Sequence, residues 1–329
     1  MSSLSATSTA PDRAHSAGLL GRLDRWLHAM PHPPLVVEIA SDHVAAARWG
    51  KRKGHLEAAA VEPLALGSVM PSTIETNVAQ PDSVRSALRR VFSRVPAGHA
   101  PVALLVPDPV ARVFIVPFDD LPRRADEALP LLRWRLKKSV PFDVEETVVS
   151  WSRQTGHDGS LEVVIGVARR PIVREYEQIL ESLGAQAGVV LGSTLATLPL
   201  LEERGATLLV RLCGRTLTTV VTDASTLCVY RSTEMAAEAE QLQPQAVLDE
   251  VFPAVAYYQD TWGRSVDRAR LAGFGNREAT FGNALSEEMK VLVAPLSDAE
   301  AAAGLDASAK DLVHHGLDAL AGWSMNAGA

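Results

Sequence analysis

At 329 residues, with 47% apolar and 22% charged residues, the chain has globular composition and room for about two domains, which excludes a disordered, fibrous or single small-module architecture. Its net charge of −7 offers no general attraction to phosphate backbones, so nucleic acid is not an expected partner. Two cysteines, Cys213 and Cys228, without a CxxC pair or a nearby histidine cluster, supply no metal-ligand spacing; they read as small buried side chains on adjacent strands in a reducing compartment.

Met1 to Ser16 is rich in Ser, Thr and Ala but has neither the basic start nor the apolar core of a secretory signal. No run of about 18 apolar residues predicts a membrane span, so cytoplasmic residence is the expectation. Leu19, Leu20, Leu23, Trp26 and Leu27 share one helical face, with Arg22, Arg25 and His28 elsewhere around the turn. This short amphipathic helix ends at Pro31, Pro33 and Pro34, and residues 1–34 read as an appendage that packs on the body or a partner, with membrane-surface contact as the alternative.

Leu35 to Ile39, Val44 to Trp49 and Leu56 to Val61 predict a three-strand meander. A helix from Pro81 to Phe92 and an apolar strand from Val102 to Val106 give β-β-β-α-β order. Ala111 to Phe118 is a further strand, and Ala125, Leu129, Leu132, Leu136 and Val140 mark an amphipathic helix interrupted or kinked at Pro130. Glu146 to Trp151 and Leu161 to Ala168 form a hairpin, followed by a helix from Pro171 to about Gly184. Residues of about 100 to 188 thus read as an α+β insertion in a first lobe spanning 35–190. Thr207 to Leu212, Leu217 to Thr222 and Leu227 to Arg231 repeat the opening meander, and a helix from Pro244 to Tyr258 precedes a glycine turn at Gly273 and Gly275. A second lobe with a C-terminal helix then occupies 191–329. The repeat predicts an α/β, bilobed actin-like (ribonuclease H-like) fold of the actin and sugar-kinase superfamily, with a small inserted subdomain.

In that superfamily, two strand-turn-strand loops hold phosphates across a cleft, and an aspartate on each binds magnesium or orients water. The first loop here, Val37-Glu38-Ile39-Ala40-Ser41-Asp42-His43-Val44-Ala45, resembles the pattern D-I-G-S-S-S-V-K, with Glu38 for the acid, Ala40 for the glycine and Ala45 for the lysine. Glu38 retains a carboxylate for a cation and Ser41 a hydroxyl; an ordinary polar β-turn is an equal reading. The second loop, Val210-Arg211-Leu212-Cys213-Gly214-Arg215-Thr216, puts Arg211 where the pattern has an acid. A guanidinium can neutralise phosphate but cannot chelate magnesium or accept a proton. Leu271-Ala272-Gly273-Phe274-Gly275-Asn276 resembles the adenosine turn, and Glu250 stands on the preceding helix where relatives contact ribose. Glu38, Ser41, Arg211, Gly214, Glu250, Gly273 and Gly275 are therefore the candidate nucleotide-cleft residues, with ATP and magnesium as the implied ligands and no catalytic residue assigned.

The family signal lies in the insertion. Val140-Pro141-Phe142-Asp143-Val144-Glu145-Glu146-Thr147-Val148-Val149-Ser150-Trp151 resembles the I-P-F-D-x-E-E-x-V-x-D-Y-like segment of the PilM family, cytoplasmic actin-like proteins of type IV pilus assembly. Ala254-Val255-Ala256-Tyr257-Tyr258 resembles that family's R-S-L-D-Y-Y helix. The resemblance implies a scaffold, peripheral at the inner membrane, that receives the N-terminal tail of a PilN-like inner-membrane protein and meets other pilus platform proteins. Phe114, Val116 and Phe142 are the expected groove-lining residues, and each reads equally as core. Arg133, Arg135, Lys137 and Lys138 share the helix before the motif, as a partner patch or a solvated face. The alternatives are an active actin-like ATPase, which Ala40 and Arg211 disfavour, and the cytoplasmic platform of a type II secretion system, which normally continues into a transmembrane helix.

Overall fold

The computed structural model describes residues 32–98, 100–202, 204–224 and 226–326. The amphipathic stretch expected at Leu19 to His28 lies outside them. The chain opens with β1 (Leu35–Ile39), β2 (His43–Trp49) and β3 (Leu56–Pro63), followed by helix α1 (Pro81–Arg94) and β4 (Val102–Val106). Next come β5 (Ala111–Phe118), α2 (Ala125–Leu136), β6 (Thr147–Thr155) and β7 (Leu161–Arg169), and then α3 (Arg170–Glu181), β8 (Ala187–Gly192) and the short α4 (Ser193–Thr197). The second half contains β9 (Ala206–Cys213), β10 (Thr216–Asp223), β11 (Thr226–Glu234), α5 (Pro244–Trp262), β12 (Arg268–Ala272), α6 (Glu278–Met289) and β13 (Leu292–Pro295). Two helices close it, α7 (Ala307–His314) and α8 (Asp318–Met325).

The duplication read in the sequence is present in the sheets. One runs β3-β2-β1-β4-β8 and the other β11-β10-β9-β12-β13. In each, the meander is antiparallel and its first strand pairs in parallel with the fourth, which pairs in parallel with the fifth. Strand alternation sorts their side chains. Leu35, Val37 and Ile39 join an outer core with α1 and α3, whereas Val36 joins an inner core shared by both sheets. Likewise Leu208, Val210 and Leu212 pack outward under α5 and α6, while Leu209 faces inward. The parity that turns Val36 and Leu209 inward also turns Glu38 and Arg211 inward.

The insertion is a separate three-stranded antiparallel sheet, β5-β7-β6, with α2 on one face. It occupies 111–169. β4 and β8 belong to the first large sheet, and α3 puts Ile172, Tyr176, Ile179 and Leu180 into that sheet's outer core. Chain distance misled the expected limits of 100 to 188, because the insertion splits two neighbouring parallel strands. α2 runs through Pro130 and ends at Leu136, so Val140 joins the subdomain core from beyond the helix. The C-terminal helix also crosses over: α8 packs on α4 and the first sheet, and Trp323 donates from Nε1 to the Pro33 carbonyl at 3.0 Å. Cys213 and Cys228 stand on β9 and β11, which β10 separates, so they are not on adjacent strands as expected.

The α4–α8 crossing depends on Gly322, where a Cβ would lie 2.2 Å from the Ala196 carbonyl oxygen. Gly→Ala inside a helix ordinarily stabilises by about 1 kcal/mol. Gly282→Ala in α6, where the nearest atom is 3.5 Å away, should behave that way. Gly322→Ala should instead destabilise by about 1–3 kcal/mol through overpacking. Denaturant unfolding of the two variants checks the opposite signs.

Candidate functional site

Glu38 and Arg211 meet at the centre of the inner layer, 1% and 2% exposed. Arg211 donates from Nε to Asp318 Oδ2 at 2.6 Å and from Nη1 to Ser193 Oγ at 3.1 Å and Thr194 Oγ1 at 3.4 Å. Its Nη2 lies 3.7 Å from Glu38 Oε1 and its Nη1 4.0 Å from Asp108 Oδ2. One guanidinium from the second sheet thus faces three carboxylates, from β1, the turn after β4 and the start of α8. Burial opposes its charge, but Asp318, with Cys213, Glu38 and Asp108, holds its proton well beyond the ordinary arginine range.

Asp108 is satisfied by hydroxyls and an amide. Its Oδ1 accepts from the Thr194 amide and Tyr230 Oη, both at 3.0 Å, and its Oδ2 accepts from Thr194 Oγ1 at 2.5 Å and Thr218 Oγ1 at 2.7 Å. Thr218 and Tyr230 belong to β10 and β11, so this carboxylate also joins the lobes. Glu38 has no hydrogen-bond donor among the described residues. It is held by charge, between Arg211 and His43 Nε2 at 3.8 Å. The His43 ring also contacts Asp42 Oδ1 through Nδ1 at 2.8 Å. Burial works against the imidazolium, but the hydrogen bond to Asp42 and the charge of the nearby Glu38 carboxylate outweigh it and push the His43 pKa up to about 10.

The two candidate loops touch. Gly214 has a φ of +56°, and a Cβ there would lie 2.3 Å from Ser41 Oγ. Gly273, at φ +81°, lies against the backbone of the same hairpin, where a Cβ would fall 1.8 Å from the Leu212 carbonyl oxygen. Phe274 turns away from the cleft, buried and packed on Phe281 at 4.6 Å between ring centroids. The structure therefore brings Glu38, Ser41, Arg211, Gly214 and Gly273 together. Gly275 opens the short turn before α6. Glu250 stands apart on α5, paired with Arg231 at 2.9 Å.

Sequence reading missed Asp108, Asp318, His43 and the hydroxyls of Ser193 and Thr194. Asp318 carried a signal: it is the lone charge in Leu317-Asp318-Ala319-Leu320-Ala321-Gly322-Trp323, a stretch apolar on all sides, and a charge in a fully buried helix needs a partner. Of the expected groove residues, Phe114 lines a cleft of about 1180 Å³ bordered by Ser41, Leu66, Met70, Thr216 and Glu234. Val116 and Phe142 instead pack into the insertion's own core with Phe118 and Trp151. Among the described residues no cluster of His, Cys, Asp and Glu has metal-binding geometry, and no helix is long and apolar enough to cross a membrane.

With two sheets of identical order facing one another across this charged centre, the architecture is decided. The chain has the bilobed actin-like fold. Over 90% of its length it superimposes on 98% of a chain from a PilM–PilN type IV pilus biogenesis complex, with a TM-score of 0.68 at 16% identity. The resemblance to PilM noted in the sequence is thereby matched at the level of the fold. Weaker similarities are to the cytoplasmic domain of EpsL, an inner-membrane component of the Vibrio cholerae type II secretion system (16% identity, 72% of this chain and 81% of that one, TM-score 0.46), and to a Bacteroides thetaiotaomicron protein with an actin-like ATPase fold (12% identity, 81% and 91%, TM-score 0.44). No protein-family model and no curated protein matches the sequence.

Two outcomes follow from the charged centre. Arg211→Met strands three acids and should cost about 3–5 kcal/mol of stability; Asp318→Asn in the same chain should recover part of it, because the two losses share one interaction. Denaturant melts of the single and double variants give the coupling. The raised His43 pKa means the folded state binds a proton that the unfolded state releases above about 6.5. Its stabilisation is complete below that pH and is lost as pH rises toward about 10. The wild type should accordingly lose stability from pH 7 to 10 more steeply than His43→Gln, as measured by unfolding at each pH.

Proposed function

We propose that this protein is a docking platform of a type IV pilus assembly system, with a nucleotide site that no longer turns over ATP. The observation that carries the reading is the place taken by Arg211. In the actin-like superfamily this position offers an acid to magnesium, and here a buried cation ion-pairs with the neighbouring acids. Ser41 and Gly214 are in contact where phosphate would pass between the loops. A magnesium-bound triphosphate therefore does not fit the side chains present, and no hydrolytic step is assigned to them. The fold shared with a chain of the PilM–PilN complex, together with the Val140 to Trp151 segment of the insertion, supports a pilus role rather than a metabolic one.

The partner proposed is the N-terminal tail of a PilN-like inner-membrane protein, with other platform proteins around it, which would keep the chain peripheral to the membrane on its cytoplasmic side. The cleft beside β5 has the character such a tail needs. Leu66 and Met70, 85% and 60% exposed, line it with Phe114, and Glu75, Glu234 and Glu238 with Arg112 and Arg215 add charge of both signs. Extended peptides are held by apolar pockets with polar groups fixing register.

The test titrates the full chain with a PilN-like tail peptide and, in parallel, with ATP and magnesium. The peptide should bind and Met70→Glu should weaken it at least tenfold without lowering the melting temperature, because Met70 is exposed; a tenfold loss is about 1.4 kcal/mol. ATP with magnesium should neither raise the melting temperature nor be hydrolysed. Turnover abolished by Glu38→Ala, or failure of any such tail to bind, would overturn the reading.

A further inference from the structure

The insertion carries a surface that the charged centre and the cleft do not use. On α2, Trp134 is 75% exposed and Leu131 43%. Spaced three apart, they lie side by side on the outer face, while Ala128, Leu132 and Leu136 point into the subdomain. Beside them, at three and four residues' spacing, stand Arg135, Lys137 and Lys138, all exposed and with no ion-pair partner among the described residues. The acids of the first turn, Asp126 and Glu127, are engaged by Arg124. The face is therefore basic on a chain whose net charge is −7.

We propose that this face of α2 rests directly on an anionic lipid surface. An indole and a leucine on the outer side of a helix, ringed by arginine and lysine, match the layered chemistry of a bilayer interface: the ring enters at headgroup level and long basic side chains reach phosphates. The comparison within the molecule is α5, whose exposed Phe252 and Tyr257 are accompanied by the exposed acids Asp249 and Asp260, its Glu250 being paired with Arg231. That apolar surface carries the wrong charge for anionic lipid, and α2 the right one. A protein groove would select shape; the α2 face is the exterior of a single helix offering charge and one aromatic. The contact is independent of the tail-docking reading, since it needs no protein partner.

Sedimentation of the full chain with vesicles tests it, using phosphatidylcholine alone and phosphatidylcholine mixed with phosphatidylglycerol. Binding should require phosphatidylglycerol and weaken with salt. Reversing Arg135, Lys137 and Lys138 to glutamate should lower vesicle affinity about 100-fold, at about fivefold for each basic group lost, and Trp134→Ser should lower it further. Hydrogen exchange of the wild type should show vesicle-dependent protection at 125–138, which keeps the test valid if a variant folds poorly. Leu23→Glu with Trp26→Glu controls for the amphipathic stretch at the start of the chain. No binding to anionic vesicles, or binding lost with that control but unchanged by the α2 variants and without protection of α2, would overturn the proposal. So would capture of an acidic protein by this face without any lipid binding.

Discussion

A single buried guanidinium sets the arrangement of everything around it. Arg211 stands on the inward parity of β9 and draws to itself carboxylates from β1, the β4–β5 turn and α8. Each of those acids alone would be ruinous in an interior that excludes water. Gathered around one cation, and with Asp108 further solvated by Thr194, Thr218 and Tyr230, they become the point where the chain's distant parts register against each other. Fixed donors and acceptors add directional contacts to the close packing of the apolar layer between the two sheets.

The insertion reinforces the same seam from outside. Gln154 on β6 is buried and uses its side-chain amide like a strand backbone, donating to the Leu227 carbonyl at 2.8 Å and accepting from the Leu227 amide at 3.2 Å. Inserted between two strands of the first lobe, the three-stranded sheet thus reaches β11 of the other lobe. On the opposite side α8 returns to α4 and the first sheet through Gly322 and Trp323. The lobes are joined at the centre, at the insertion and along the C-terminal helix.

Much of this was legible in the chain. Two meanders with matching continuations gave the duplicated sheets, because strand periodicity and turn residues are local signals. The inward direction of Glu38 and Arg211 was implicit in that alternation, and their pairing was hidden only because residues 38 and 211 meet through the fold. Asp108, flanked by Pro107 and Pro109, is a buried acid whose four donors come from three other elements and leave no trace near it in sequence. Phe142 shows the converse. Its motif marks the family resemblance, and its half-buried ring packs against the subdomain core, so the motif's local signal is one of fold. The insertion limits were misjudged at β4 and α3 because nothing local distinguishes a strand of a host sheet from one of a guest.

A clamped seam changes what kind of work the cleft can do. Enzymes that close two lobes around a ligand use binding energy for the closure, which is coupled to chemistry. Here Arg211 bridges the two sheets through Glu38, Asp108 and Asp318, so the lobes are held by side chains of the protein itself. Under the proposed docking function, a seam held in this way favours binding. The cleft walls formed by the 64–76 segment, β5 and the β9–β10 hairpin belong to bodies whose relative position the charged centre fixes. On that reading, an extended peptide entering between them would bear the cost of its own ordering but not of ordering its site, which is the condition under which a modest apolar contact area suffices for specific binding.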